Sequence, residues 1–182
     1  MTRRVGIVCL IVWILSLGGT QARAQESTLL GPLKAQWENI RTQVVRTAEA
    51  VPEDKYAFKP TPEVRSFLDL FIHIAEENYF FMGFVTGDRS GDPNRFKNLK
   101  TRAEIVKALN ESYDYGAKAL AGLDDQKAME MVPMMGGRQG PRWSAALANI
   151  ADNMDHYGNL VVYMRLNGIV PPSTAARQQR QR

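Results

Sequence analysis

One segment constrains this chain more than any other: a helix with a hard stop. The run DNMDHYGNLVVYMRLNGIVPP, from Asp152 to Pro172, has an apolar helical repeat that ends at Gly168 and Pro171-Pro172. Glycine supplies a left-handed C-terminal cap and proline cannot continue the helix, so both ends of the argument agree. Inside this helix Asp152 and His156 are four residues apart. That spacing stacks side chains on one helix face, so both can point at one spot. The chain has only two histidines. The other, His73, lies in a second apolar stretch, FLDLFIHIAEENYFFMGF. Two histidines on core-facing helices pose a metal-site hypothesis.

The first residues read as a targeting segment. MTRRVGIVCLIVWILSLGGTQARAQ has two early arginines, an apolar run from Val5 to Leu17 and then Ala22-Arg23-Ala24. These are the three parts of a secretory signal peptide, placing a cleavable signal over 1–24 and a mature start at Gln25. The apolar run is shorter than the ~20 residues a membrane-spanning helix needs, so no stable span is expected after cleavage. The expected location is periplasmic or secreted. Cleavage removes the only cysteine, Cys9, so no disulfide, thiol nucleophile or cysteine ligand would remain. It also removes Arg3, Arg4 and Arg23, lowering the formal charge from +4 to +1. The remaining basicity is concentrated in the tail TAARQQRQR. A tail of this kind reads as a solvated, disordered end over 173–182, and nothing points to nucleic acid.

The region 25–172 reads as one all-α domain with four helices and no convincing strand. The first runs from about Thr28 to Ala50, with Leu30, Leu33, Trp37, Ile40, Val44 and Ala48 at spacings of three and four. Pro60 and Pro62 forbid helix in the following loop. The second helix begins near Glu63 or Ser66 and reaches Thr86, before the turn-rich GDRSGDPN. Thr101 and Glu104 form a capping box for the third, which ends near Gly122. The stretch 124–141 is a flexible Gly- and Met-rich connection, and the fourth helix spans about Arg142 to Asn167. A four-helix bundle is the natural architecture, and such bundles build metal sites from facing helices.

HYGNLVVYMRLNGIVPP, with the upstream HIAEENYFF, resembles the DinB-like superfamily of bacterial four-helix-bundle proteins. The resemblance extends from about Leu29 to Pro172. It implies an unusual bundle topology and a divalent-metal site, with one histidine from the second helix and two, one turn apart, from the fourth. His73 matches the first position and His156 the last. Asp152 stands where the family pattern has the middle histidine. A carboxylate keeps a ligand and adds negative charge, and two histidines with one carboxylate suit zinc or non-haem iron. The expected ligands are therefore His73, Asp152 and His156, holding Zn, Ni, Mn or Fe. The alternative is a buried Asp152–His156 pair that satisfies its own polar groups.

Glu76 and Glu77 follow His73 by three and four residues, as weak candidates for a fourth ligand, a general base or a tautomer-holding acceptor. Surface carboxylates are the competing reading for each. Tyr157 and Tyr163 read as packing residues with polar tips, and Arg165 as a helix-end cation. Met129, Met131, Met134 and Met135 invite a Cu(I) reading, but irregular core filling is preferred. Tyr79, Phe80, Phe81 and Phe84 read as core or pocket wall. Functionally, the resemblance implies a metal-dependent hydrolase or transferase acting on a small molecule. The alternatives are a non-catalytic metal- or ligand-binding protein of the cell envelope and a helical interaction module with a degenerate site. A homodimer is left open.

Overall fold

The computed structural model describes residues 29–90, 92 and 95–181. The expected signal peptide lies outside the described residues. Four long helices form the body: α1 (Leu30–Ala50), α2 (Phe67–Thr86), α3 (Arg102–Ala121) and α5 (Arg142–Leu166). α2 packs against α3 and α5, and α1 packs against the same two helices. Consecutive helices α1 and α2 are therefore diagonal, and the order around the bundle is α1, α3, α2, α5.

Local chemistry sets the helix ends. Ser66 caps α2, accepting from the Asp69 amide at 3.1 Å, while Asp69 Oδ2 accepts from the Ser66 amide at 3.2 Å. Thr101 and Glu104 form the same reciprocal cap on α3. Gly87 ends α2 with φ 82°, and Gly168 follows α5 with φ 70°, backbone that favours glycine. The six apolar residues singled out on α1 are all buried, with Trp37 at 1% exposure. Its indole donates to the Tyr113 carbonyl at 3.0 Å, locking α1 to α3.

The register of α2 against α5 matters most for function. Phe67 meets Tyr163 edge-on with ring centres 5.4 Å apart. Asn153 donates to Asn78 Oδ1 at 2.8 Å, and Arg142 donates to the Val85 carbonyl at 2.9 Å. These contacts run antiparallel along the two helices. Between the first and second of them, the same register sets His73 opposite His156.

Two expectations are corrected. The stretch 124–141 folds into the short helix α4 (Asp125–Met129) and a hairpin, β1 (Met131–Pro133) antiparallel to β2 (Gln139–Pro141). Gly136 and Gly137 turn this hairpin with φ 75° and 74°. Met129, Met131 and Met135 are 60%, 61% and 59% exposed there, so they do not fill the core; only Met134 packs against it. The basic tail also differs, forming helix α6 (Pro172–Arg180) with Pro172 at its first position. Proline there is pre-set for helix and needs no amide partner. Tyr157 donates to Ser173 Oγ at 2.8 Å and α6 packs on α1, which holds the end in place. Among the described residues, no helix is long and apolar enough to cross a membrane.

Candidate metal centre

The α2–α5 register brings His73, Glu77 and His156 together. Glu77 stands four residues after His73, on the same helix face, and its carboxylate lies between the two imidazoles. His73 Nε2 is 2.9 Å from Glu77 Oε1, and His156 Nε2 is 3.1 Å from Glu77 Oε2. The two rings meet edge-on with centres 4.9 Å apart. One ligand atom from each of the three residues falls within 4.8 Å of the others. Bonds of ~2.0–2.2 Å to one ion need donors about 4 Å apart or less, so small side-chain rotations close the gap.

Asp152 flanks this trio from α5. Its Oδ2 is 3.3 Å from His156 Nε2, in a direction that makes no hydrogen bond, and the atom is enclosed without a hydrogen-bond partner. This carboxylate oxygen, beside two imidazoles and a second carboxylate, adds a further oxygen donor to the cluster. The donor set of nitrogen and oxygen suits zinc, iron, nickel or manganese. His156 has a side-chain exposure of 10%, Asp152 one of 33%.

The electrostatics follow from this crowding. Burial pushes the Glu77 carboxyl up, but hydrogen bonds from His156 and His73 outweigh it and hold it well below the usual carboxylate range. The same Glu77 carboxylate raises the His156 imidazole against the opposing effect of burial, with Asp152 adding to the rise. Burial first, and the Glu77 carboxylate second, push Asp152 up to about 6. Two close carboxylates disfavour double ionisation, and here the one bonded to both histidines keeps its charge.

His73, Glu76 and Glu77 also border a cleft of about 1190 Å³ whose aromatic wall includes Tyr79, Phe80, Phe96 and Tyr115. Glu76 lines this cleft beside His73, and its carboxyl is raised chiefly by burial, with His73 opposing the rise. Phe84, by contrast, is core. Below the metal-site candidates, the polar seam continues inward, with Asn78 donating to Ser112 Oγ at 3.0 Å.

The comparison with known sequences decides the family. A DinB superfamily profile matches residues 36–160. The chain belongs to the DinB superfamily. No curated protein matches it. Solved DinB-like structures share its fold. One from Bacillus subtilis is 20% identical with a TM-score of 0.62, over 75% of this chain and 92% of that one. One from Bacillus cereus ATCC 10987 is 14% identical with a TM-score of 0.69, over 78% and 95%. A conserved protein from Enterococcus faecalis is 14% identical with a TM-score of 0.62, over 77% and 97%. Within this DinB domain, Glu77 takes a more central place than its sequence context suggested. The signal available was its i,i+4 spacing from His73, the same spacing that marked Asp152 and His156.

Proposed function

We propose that this DinB protein is an exported metal-dependent hydrolase of a small molecule, with His73, Glu77 and His156 holding a divalent ion and Asp152 beside it. One observation carries the reading: the Glu77 carboxylate joins two imidazoles from different helices, next to an enclosed Asp152 oxygen 3.3 Å from His156. A divalent ion in such a site supplies Lewis-acid activation. The chain's own groups supply the rest. Asp152, with its carboxyl pushed up to about 6, takes up and releases a proton near neutrality at Oδ2. The aromatic cleft bordered by His73 admits the substrate and limits water around it. Glu76, whose carboxyl burial raises, lines the same cleft. Export rests on the arrangement of residues 1–24 and favours hydrolysis over transfer to a small cytosolic thiol.

The test is turnover on ester, amide and phosphoester substrates by metal-loaded and chelator-stripped protein. The reading expects hydrolysis by the loaded form that falls on stripping, and falls about 10²–10⁴-fold in Asp152→Asn as for loss of a general base. Equal rates in the loaded and stripped forms contradict it. A helical interaction protein with a degenerate metal site is the second reading. It is favoured by one feature, that Glu77 already satisfies both histidines without any ion.

A further inference from the structure

Two arginines on the wall of the cleft have aromatic partners and no acidic ones. The Arg95 guanidinium carbon lies 4.1 Å from the Tyr79 ring centre, and that of Arg89 lies 4.9 Å from the Phe84 ring centre. Neither takes part in an ion pair among the described residues. A guanidinium on a ring face keeps its fork of N–H donors for another partner.

The carboxylates of the same cleft are placed differently. Glu77 lies between two imidazoles, and Asp88 Oδ1 accepts from the Ser90 amide at 3.0 Å and its hydroxyl at 2.6 Å. Asp92 is partnered as well. Glu76 stands at the His73 end, where burial raises its carboxyl. The donors that face the cleft without an acid belong to the arginines.

Position along α2 gives the cleft a direction. Tyr79 follows His73 by six residues, about 9 Å of helix. Gly83, whose added Cβ would lie 3.0 Å from Arg89 Cγ, follows it by ten, about 15 Å. The metal centre is thus at one end, with Arg95 and then Arg89 further along. Arg95 is well anchored: the next residue, Phe96, is 4% exposed and 5.8 Å from Tyr79, which stacks on Tyr115 at 4.7 Å. Phe80, 46% exposed, offers an apolar face beside them.

We propose that the substrate of this site is a small carboxylate. Arg95, with Arg89 beyond it, binds a carboxylate group remote from the labile bond. The body of the molecule lies against Phe80 and Tyr115 and presents that bond at the His73–Glu77 end. A planar guanidinium fork matches a carboxylate through two parallel hydrogen bonds. Single charge is favoured, because Asp88 and Asp92 border the same end and repel a phosphate dianion more strongly than a monoanion. A span of about 9 Å holds one aromatic ring between carboxylate and labile bond. The labile bond rests on the hydrolase reading, whereas the carboxylate site rests on the cleft alone.

The experiment measures binding to the full chain, by calorimetry or ligand-observed NMR, of unreactive probes of one shape. They are 3-phenylpropanoate, 3-phenylpropanol, 3-phenylpropylamine and 2-phenylethylphosphonate. Zinc-loaded and chelator-stripped protein should both bind the propanoate about tenfold tighter than the alcohol, with the amine weakest. Arg95→Gln should lose that advantage and Arg95→Lys should recover part of it, with zinc affinity and melting temperature unchanged. Arg89→Gln should reduce it less. Both arginines are exposed, so these variants leave the core intact. Equal binding of propanoate and alcohol overturns the inference, and tighter binding of the phosphonate overturns the choice of carboxylate. A propanoate advantage that survives in Arg95→Gln, or that needs zinc, is ligation by the metal and overturns it too. Carboxylate preference without turnover on any ester or amide contradicts the hydrolase and keeps the binding site. Turnover without the preference does the reverse.

Discussion

Glu77 Oε2 lies 3.1 Å from His156 Nε2, across the α2–α5 interface, and this contact joins the two halves of the candidate metal centre. Its partner oxygen holds His73 at 2.9 Å. One carboxylate thus orders both imidazoles and sets the charge of the site.

Replacing that carboxylate separates ordering from charge. Glu77→Gln keeps the shape but removes the negative charge that raises His156 and Asp152. Zinc affinity, measured by calorimetry, is expected to fall about 10–100-fold. The apparent His156 pKa, followed by NMR titration, should fall as well.

The metal-free protein should lose stability as pH rises through neutrality. His156 is raised above its ordinary 6.5, so its contribution is fully present below 6.5 and is lost as pH rises through the higher folded value. Asp152 is raised from 3.8 to about 6, so its ionisation opposes folding over the same direction of change. Glu77 is lowered, so its contribution is present above its ordinary 4.5 and is lost in acid. Thermal melts should therefore peak near or a little below about pH 4.5 for this cluster, and fall first as Asp152 ionises toward pH 6 and then as His156 loses its proton. Added zinc should raise the melting temperature more at pH 8 than at pH 6, because binding displaces protons. A zinc effect that is flat with pH contradicts this.

Asp152→His places a histidine where the resemblance to DinB-like proteins implies one. The variant removes the Glu77–Asp152 carboxylate conflict and adds a nitrogen ligand on the same helix face. Calorimetry is expected to show tighter zinc binding, by about tenfold or more if the ligand geometry persists. Unchanged or weaker affinity would contradict the placing of residue 152 within ligand reach of the ion.

Gly116 tests the packing that holds the scaffold. A Cβ there would overlap the Trp37 indole, which is itself buried and bonded to α3. Gly116→Ala is expected to cost about 1–3 kcal/mol through overpacking, despite alanine's better helix propensity. Denaturant unfolding measures it, and a stabilised variant contradicts the packing.

Much of this was legible in the sequence. The buried stripe of α1, the Thr101 capping box and the Gly168 stop each follow from residue type and spacing, because local rules dominate there. Strands β1 and β2 were not legible: three residues each, with Pro133 and Pro141 within them, they lack the alternation that marks a strand. Helix α6 was hidden because its composition is that of a solvated tail, and only packing on α1 and the Tyr157–Ser173 bond order it. At the site, His73 and His156 stood out by rarity. Glu77 did not, because acidic residues on helices are common and which helices are neighbours depends on the whole bundle. Its place between the histidines comes from the α2–α5 register, set by Phe67, Tyr163, Asn78, Asn153 and Arg142.

Metal content tests the central claim most directly. Protein purified without a nickel column, then analysed for bound metal and titrated with Zn²⁺, Ni²⁺, Mn²⁺ and Fe²⁺, should bind a single ion per chain. Binding should be lost in both His73→Ala and His156→Ala and accompanied by a rise in melting temperature. Wild-type protein that carries no stoichiometric metal, and whose melting temperature none of the four ions raises, would contradict the account.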